Sequence, residues 1–281
     1  MKKTLSTVLA ILLTLGMLGA FAACKDKPVS ADPSTTEPTT ETTTTTETTT
    51  ETETETETDP LGGGDPTTLD NAQLLDYFNT AVNAVRELKP QFDYVLIRKM
   101  DKVQTTILGG IVDGIINSVV KSLMPGDPET GTVKKGDGNH GKFLSDSETK
   151  ASLLTLSQLS SITATKEGAN YRITVKLGPA TNPSMTAGQS SYSSLHQIQD
   201  PKSTVEAIVG DNGAIQADPA KTTLKYRDGF VTIVVNAAGQ LQSMEGGFKV
   251  DAVGKDWAVS ILKGDVTAMQ STSVKASNFV W

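Results

Sequence analysis

Apolar and polar residues alternate most regularly in the last third of the chain. The stretch "TTLKYRDGFVTIVVN", residues 222–236, has the period of two that belongs to a half-buried strand. The Asp228-Gly229 pair in its middle predicts a two-residue hairpin turn between two strands. The next stretch, "AAGQLQSMEGGFKVDAVG", predicts a turn and a further strand, with Gly246-Gly247 as a bulge. In "DWAVSILKGDVTAMQSTSVKASNFVW" two more strands are expected around Lys263-Gly264-Asp265. Ile233 and Val235 share one face, as do Phe248, Val250 and Ala252, and Trp257, Val259 and Ile261. A sheet that is apolar on one side only needs a cover.

Helical periods supply that cover. In "TTLDNAQLLDYFNTAVNAVRELKP", Leu74, Leu75, Phe78, Ala81, Val82 and Val85 fall on one side of a helix over 69–89, with Thr67 or Thr68 as its cap and Pro90 as its stop. Residues 92–100 read as a strand. A second helix is expected over 105–124, where Ile107, Ile111, Ile115, Val119 and Leu123 recur every fourth position beside a row of Leu108, Val112, Ile116, Val120 and Met124. Gly109, Gly110 and Gly114 each cost that helix up to about 1 kcal/mol against alanine, so packing or a close neighbour must hold it. Residues 124–142 read as a polar loop. Ser145 and Glu148 have capping-box spacing for a helix running to Leu159. A hairpin over 162–177 turns at Glu167–Asn170, a loop follows over 178–194, and a short helix over 200–210 carries Pro201 in its first turn.

These elements predict an α+β fold: a long curved antiparallel β-meander packed against two or three amphipathic helices, in one domain over residues 69–281. That layout resembles the extracytoplasmic lipid-cradling proteins, in which a bent sheet wraps helices around an apolar cavity. The resemblance is architectural and rests on no diagnostic motif, and fold alone does not fix function.

The first 68 residues are of another kind. "MKKTLSTVLAILLTLGMLGAFAAC" joins a basic start, Lys2 and Lys3, to an apolar run and then to small residues ending at Cys24. This is the layout of a secretory signal peptide over residues 1–23. A run of about 20 apolar residues would also suit a permanent membrane anchor. Ala22, Ala23 and Cys24 resemble the lipobox of bacterial lipoproteins, with Phe21 where Leu is usual. The resemblance implies that Cys24 becomes the first mature residue, carries acyl chains and holds the protein to the extracytoplasmic side of the bacterial cell membrane. Cys24 is the sole cysteine, so no disulfide forms within the chain. Residues 24–68 then read as a disordered tether: positions 35–58 comprise 16 Thr, 7 Glu and one Pro.

The tether accounts for the acidity of the whole. Residues 1–68 carry 4 basic and 11 acidic side chains, and residues 69–281 carry 21 of each. A domain of zero net charge gives no reason to expect a nucleic-acid partner.

Candidate chemistry is sparse. His140 and His196 are the only histidines and lack metal-ligand spacing, so no metal site and no cofactor is expected. "DGNHGKFLSDSE" fails as a calcium loop, because Lys142 stands where the turn needs glycine. The S-x-x-K matches at Ser118–Lys121 and Ser147–Lys150 lack the companion motifs of serine acyl-transfer enzymes. With no catalytic motif, the leading expectation is a binding protein that holds a lipid or other apolar ligand. Its candidate lining residues are Ile111, Ile115, Val119, Ile233, Val235, Val250 and Val259, which equally suit a plain core. The alternative is a structural or adhesion domain that binds cell wall or protein partners through exposed loops. A third reading, a carboxylate-based hydrolase, would need two of its acids, such as Asp93, Asp101 and Asp113, to converge in a cleft.

Overall fold

A computed structural model describes residues 64–107, 113, 126–137, 142–145, 150–209, 215–259 and 262–281. The C-terminal meander is built as three long strands rather than five short ones: β7 (Thr222–Val235), β8 (Leu241–Val259) and β9 (Leu262–Val280). Six more strands join them. These are β1 (Gln91–Thr105), β2 (Glu129–Val133), β3 (Leu159–Glu167), β4 (Asn170–Leu177), β5 (Ala180–Thr181) and β6 (Ile215–Gln216). The sheet runs β2-β1-β9-β8-β7-β4-β3, with β5 beside β7 and β6 beside β8, and every pairing is antiparallel. Among the described residues there are two α-helices, α1 (Asn71–Leu88) and α2 (Pro201–Val209). The molecule is therefore mainly a large antiparallel sheet with few helices.

Two expected turns are not turns, and the reason is local backbone chemistry. Arg227 faces Lys249 and Phe230 faces Gly247, so Asp228 and Gly229 together oppose Phe248. This two-against-one pairing is a β-bulge within β7. Asp228 takes the left-handed conformation, at φ 55°, which aspartate tolerates better than most residues. The same device recurs in β8, where Lys255 and Asp256 oppose Asp265 and Asp256 has φ 55°. The strand reversal expected at Lys263-Gly264-Asp265 falls instead between Val259 and Leu262, which face each other. Gly246-Gly247, expected as a bulge, is paired in register on both sides. A Cβ at Gly247 would lie 2.6 Å from the Thr272 carbonyl oxygen, so glycine serves close strand approach there.

The helix ends also differ in detail. Asp70, not Thr67 or Thr68, caps α1: its Oδ1 accepts from the Ala72 and Gln73 amides at 2.8 and 2.9 Å, and Gln73 Oε1 accepts from the Asp70 amide. Lys89, left-handed at φ 48°, closes the helix ahead of Pro90. The helix expected from Ser145 to Leu159 is absent over the described residues 150–155, and a single 3-10 turn occupies Leu156–Gln158. The backbone there bonds to α1 instead of to itself. Asn83 exchanges hydrogen bonds with both backbone groups of Ser152, and Asn79 Nδ2 donates to the Leu154 carbonyl. Within the expected polar loop 124–142, β2 pairs with β1. The expected helix over 105–124 falls almost wholly outside the described residues, and β1 itself runs to Thr105.

The apolar face of α1 forms one buried cluster with the sheet. Phe78, Ala81, Val82 and Val85 are fully enclosed, together with Ile173, Val175, Val231, Ile233, Val235 and Leu241. At one end Phe92, Phe143, Phe279 and Trp281 stack in series, with centroids 5.7 Å apart for Phe92–Phe143 and 5.2 Å for Phe92–Phe279.

Candidate functional site

A cleft of about 380 Å³ opens on the core-facing side of β1, β9, β8 and β7. Leu96 of β1, Val274 of β9, Phe248 and Val250 of β8 and Tyr226 of β7 provide its apolar lining. Residues 142–144 and 196–199 provide further lining from two connecting segments. Arg98, Lys142, Gln197, Gln199, Gln270 and Thr272 supply the polar part.

The segment 196–199 is fixed to the sheet from below. Tyr226 Oη donates to the Gln199 carbonyl at 2.7 Å and accepts from the Gln199 amide at 2.9 Å. Burial pushes the Tyr226 phenol up to about 12, so it stays a neutral donor. Its ring belongs to a group with Tyr192, Phe248 and His196, at centroid separations of 5.2 Å for Tyr192–Tyr226, 5.6 Å for Tyr226–Phe248 and 5.1 Å for His196–Phe248. The β7 bulge makes room for this group. A Cβ at Gly229 would meet the Tyr192 ring at 2.6 Å.

His196 lines the cleft yet is only 5% exposed. Burial brings its imidazole down to about 4, partly opposed by a hydrogen bond with the Phe230 backbone. Its buried Nε2 has no hydrogen-bond partner among the described residues. At neutral pH this histidine is an uncharged part of the wall.

The charges of the cleft come from Arg98 and Lys142. Lys142 forms an ion pair with Glu129, and its Nζ lies 5.9 Å from the Tyr94 ring centroid. The Lys142 bond holds the Glu129 carboxyl below its usual range, against desolvation. Arg98 Nη2 donates to Gln197 Oε1 at 3.4 Å. Among the described residues no carboxylate lines the cleft.

A second hollow of about 360 Å³ lies beside α1, lined in part by Asp76, Asn79, Asn83, Glu87, Lys150 and Ser152. Its asparagines are already committed to the backbone of residues 152–154.

Of the residues named from sequence, Val250 lies in the cleft. Ile233 and Val235 are fully buried in the core and do not line it. The side chain of Val259 and all of Ile111, Ile115, Val119, Cys24 and His140 lie outside the described residues. The candidate acids do not gather at the cleft. Asp93 accepts from Asn278 and Thr132, Asp101 pairs with Lys99 at 3.0 Å, and Asp113 accepts from the Thr105 amide.

Arg98 and His196 were not singled out as binding residues from sequence. Arg98 did carry a signal: it shares the parity of Phe92, Tyr94 and Leu96, so a cation occupies the core-facing row of β1. His196 had a weaker one, a lone histidine beside Leu195 in a Ser-rich loop.

No family model matches the chain, and no curated protein or solved structure is significantly similar to it.

Proposed function

We propose that this protein is an extracytoplasmic binding protein, anchored to the bacterial cell membrane through acylated Cys24, that holds a small apolar or amphiphilic ligand in the cleft over β1, β9, β8 and β7. The observation that carries this reading is the cleft itself: about 380 Å³ with Leu96, Phe248, Val250 and Val274 in its lining. Small-molecule sites are typically concave hollows whose volumes run from about 300 to 1,000 Å³; this cleft lies near the lower end, with a lining as polar as it is apolar. In the finer architecture proposed, the sheet is curved and its core-facing side is the ligand cradle. No reaction is assigned to the cleft, since its described lining holds no carboxylate pair and no activated nucleophile.

Native mass spectrometry of the full chain purified from its native host tests this. The expected wild-type spectrum contains a non-covalently bound small molecule, and its covalent mass shows acylation at Cys24. Val250→Trp fills the cleft and is expected to lose the bound molecule while keeping the wild-type circular dichroism. Bound molecule retained in Val250→Trp, or a bare mass for both proteins, overturns the ligand reading. An unacylated wild-type chain overturns the anchor.

A further inference from the structure

We propose that the ligand is a single-chain amphiphile with an anionic head group, and that Arg98 selects the head. This rests on the cleft being a ligand site. The argument begins with the rows of side chains across the sheet. Leu96 faces Val274 in one row, and two residues along each strand Arg98 faces Thr272, which in turn faces Phe248. Gln270 faces Val250 in the next row. On β1 and β9 the core-facing side therefore passes from aliphatic to cationic and hydroxyl-bearing within one step, while β8 remains apolar. The cleft takes lining residues from both parts. A uniformly apolar ligand would leave the exposed Arg98 guanidinium without a partner on the ligand, and a uniformly polar one would leave Phe248, Val250 and Leu96 without one. A molecule with one apolar and one charged end satisfies both.

The sign of the charge follows from what is already paired. Among the described residues the cleft is lined by two cations and no carboxylate. Glu129 balances Lys142 from outside the lining. Arg98 makes no ion pair among the described residues, although its charge helps to hold the Glu129 carboxyl low, and its bond to Gln197 Oε1 is long at 3.4 Å. Its planar fork of N–H groups remains largely available, and that geometry suits the paired oxygens of a carboxylate or phosphate. Gln197 and Thr272, beside it, supply further polar groups for the same head. The size of the cleft, at the low end for an enclosed ligand, favours one chain over two.

The test uses the full-length chain with Cys24→Ser, which carries no acyl chains of its own. Calorimetric titration compares dodecanoate, dodecyl phosphate and dodecanol, the two anions below their micelle concentrations and the alcohol below its solubility limit. Both anions are expected to bind at least about ten-fold tighter than the alcohol, which is about 1.4 kcal/mol. The stronger of the two identifies the head-group chemistry. In Arg98→Gln the ratio of anion to alcohol affinity is expected to fall towards one. Arg98→Lys, which keeps the charge, is expected to retain a preference, and that separates loss of charge from loss of fold. Equal binding of all three by the Arg98 protein, or an undiminished preference in Arg98→Gln, overturns the head-group inference and leaves the cleft reading standing. No binding of any of the three overturns both.

Discussion

His196 shows how a single side chain ties the cleft wall to pH. Its imidazole is enclosed, and burial brings it down to about 4 from an ordinary value of 6.5. Between pH 6.5 and 4 the unfolded chain therefore binds a proton that the folded chain refuses. Stability from this group is fully present above pH 6.5 and is lost as pH falls to about 4, and the whole effect is of the order of 3 kcal/mol. Replacing it by His196→Gln removes the titrating group from both states. The variant is expected to lose less stability than the wild type between pH 7 and pH 4. Urea midpoints of both proteins at pH 7, 5.5 and 4 measure this directly. Carboxylates titrate in both alike, so the difference between the two curves isolates the imidazole. Parallel curves would mean that His196 protonates as freely in the fold as outside it.

At the scale of elements, the strength of the cleft wall depends on one strand holding one connecting segment. Tyr226 of β7 makes both of its hydrogen bonds to the backbone of Gln199. In Tyr226→Phe the ring still fills its place, but the Gln199 amide and carbonyl lose their partner. A cost of about 1–3 kcal/mol is expected for leaving such groups unmet. Amide exchange should quicken over residues 196–200 while β7 stays protected, and hydrogen-exchange mass spectrometry reads the two separately. Exchange unchanged in the segment would show that other contacts hold it. The same strand explains what could and could not be read in advance. Alternation identified the buried face of 231–235 correctly, because period two survives any context that keeps one face dry. The turn at Gly168-Ala169 was also legible, since Glu167 faces Asn170 across it. Asp228-Gly229 has equally good turn chemistry, yet long partners on β8 continue past it and the pair becomes a bulge. A left-handed aspartate serves a hairpin or a bulge equally well, and only the neighbouring strand decides between them. The segment 150–155 was misread for a related reason: its partners are Asn79 and Asn83, some seventy positions earlier in the chain. Arg98 could have been found, as the charge in an apolar row. The cleft could not, because it needs the pairing of β1 with β9, from opposite ends of the domain.

At the scale of the whole molecule, charge and anchoring are separate matters. Residues 69–281 balance 21 basic against 21 acidic side chains, and the acidic excess lies in residues 1–68. Neither part carries a net positive charge to hold an anionic membrane, so the proposed attachment rests on apolar matter near Cys24. Two sources compete: acyl chains on Cys24, or the apolar run at 8–18 left uncut. Each buried methylene contributes about 0.8 kcal/mol, and one acyl chain alone binds only marginally, so stable anchoring by lipid takes more than one. Cys24→Ala separates the two sources. If the lipid holds the protein, the wild-type chain partitions with membranes and resists extraction by 1 M salt, at which charge attraction is screened within about 3 Å. The Cys24→Ala chain, cleaved at another small residue, is then expected in the culture medium, and its mass gives the cleavage position. Cys24→Ala retained in the membrane fraction would instead make the apolar run the anchor, and the assignment of acylation to Cys24 would fall. Immunoblots of the two fractions with and without salt decide the question, and they do so whatever ligand the cleft takes.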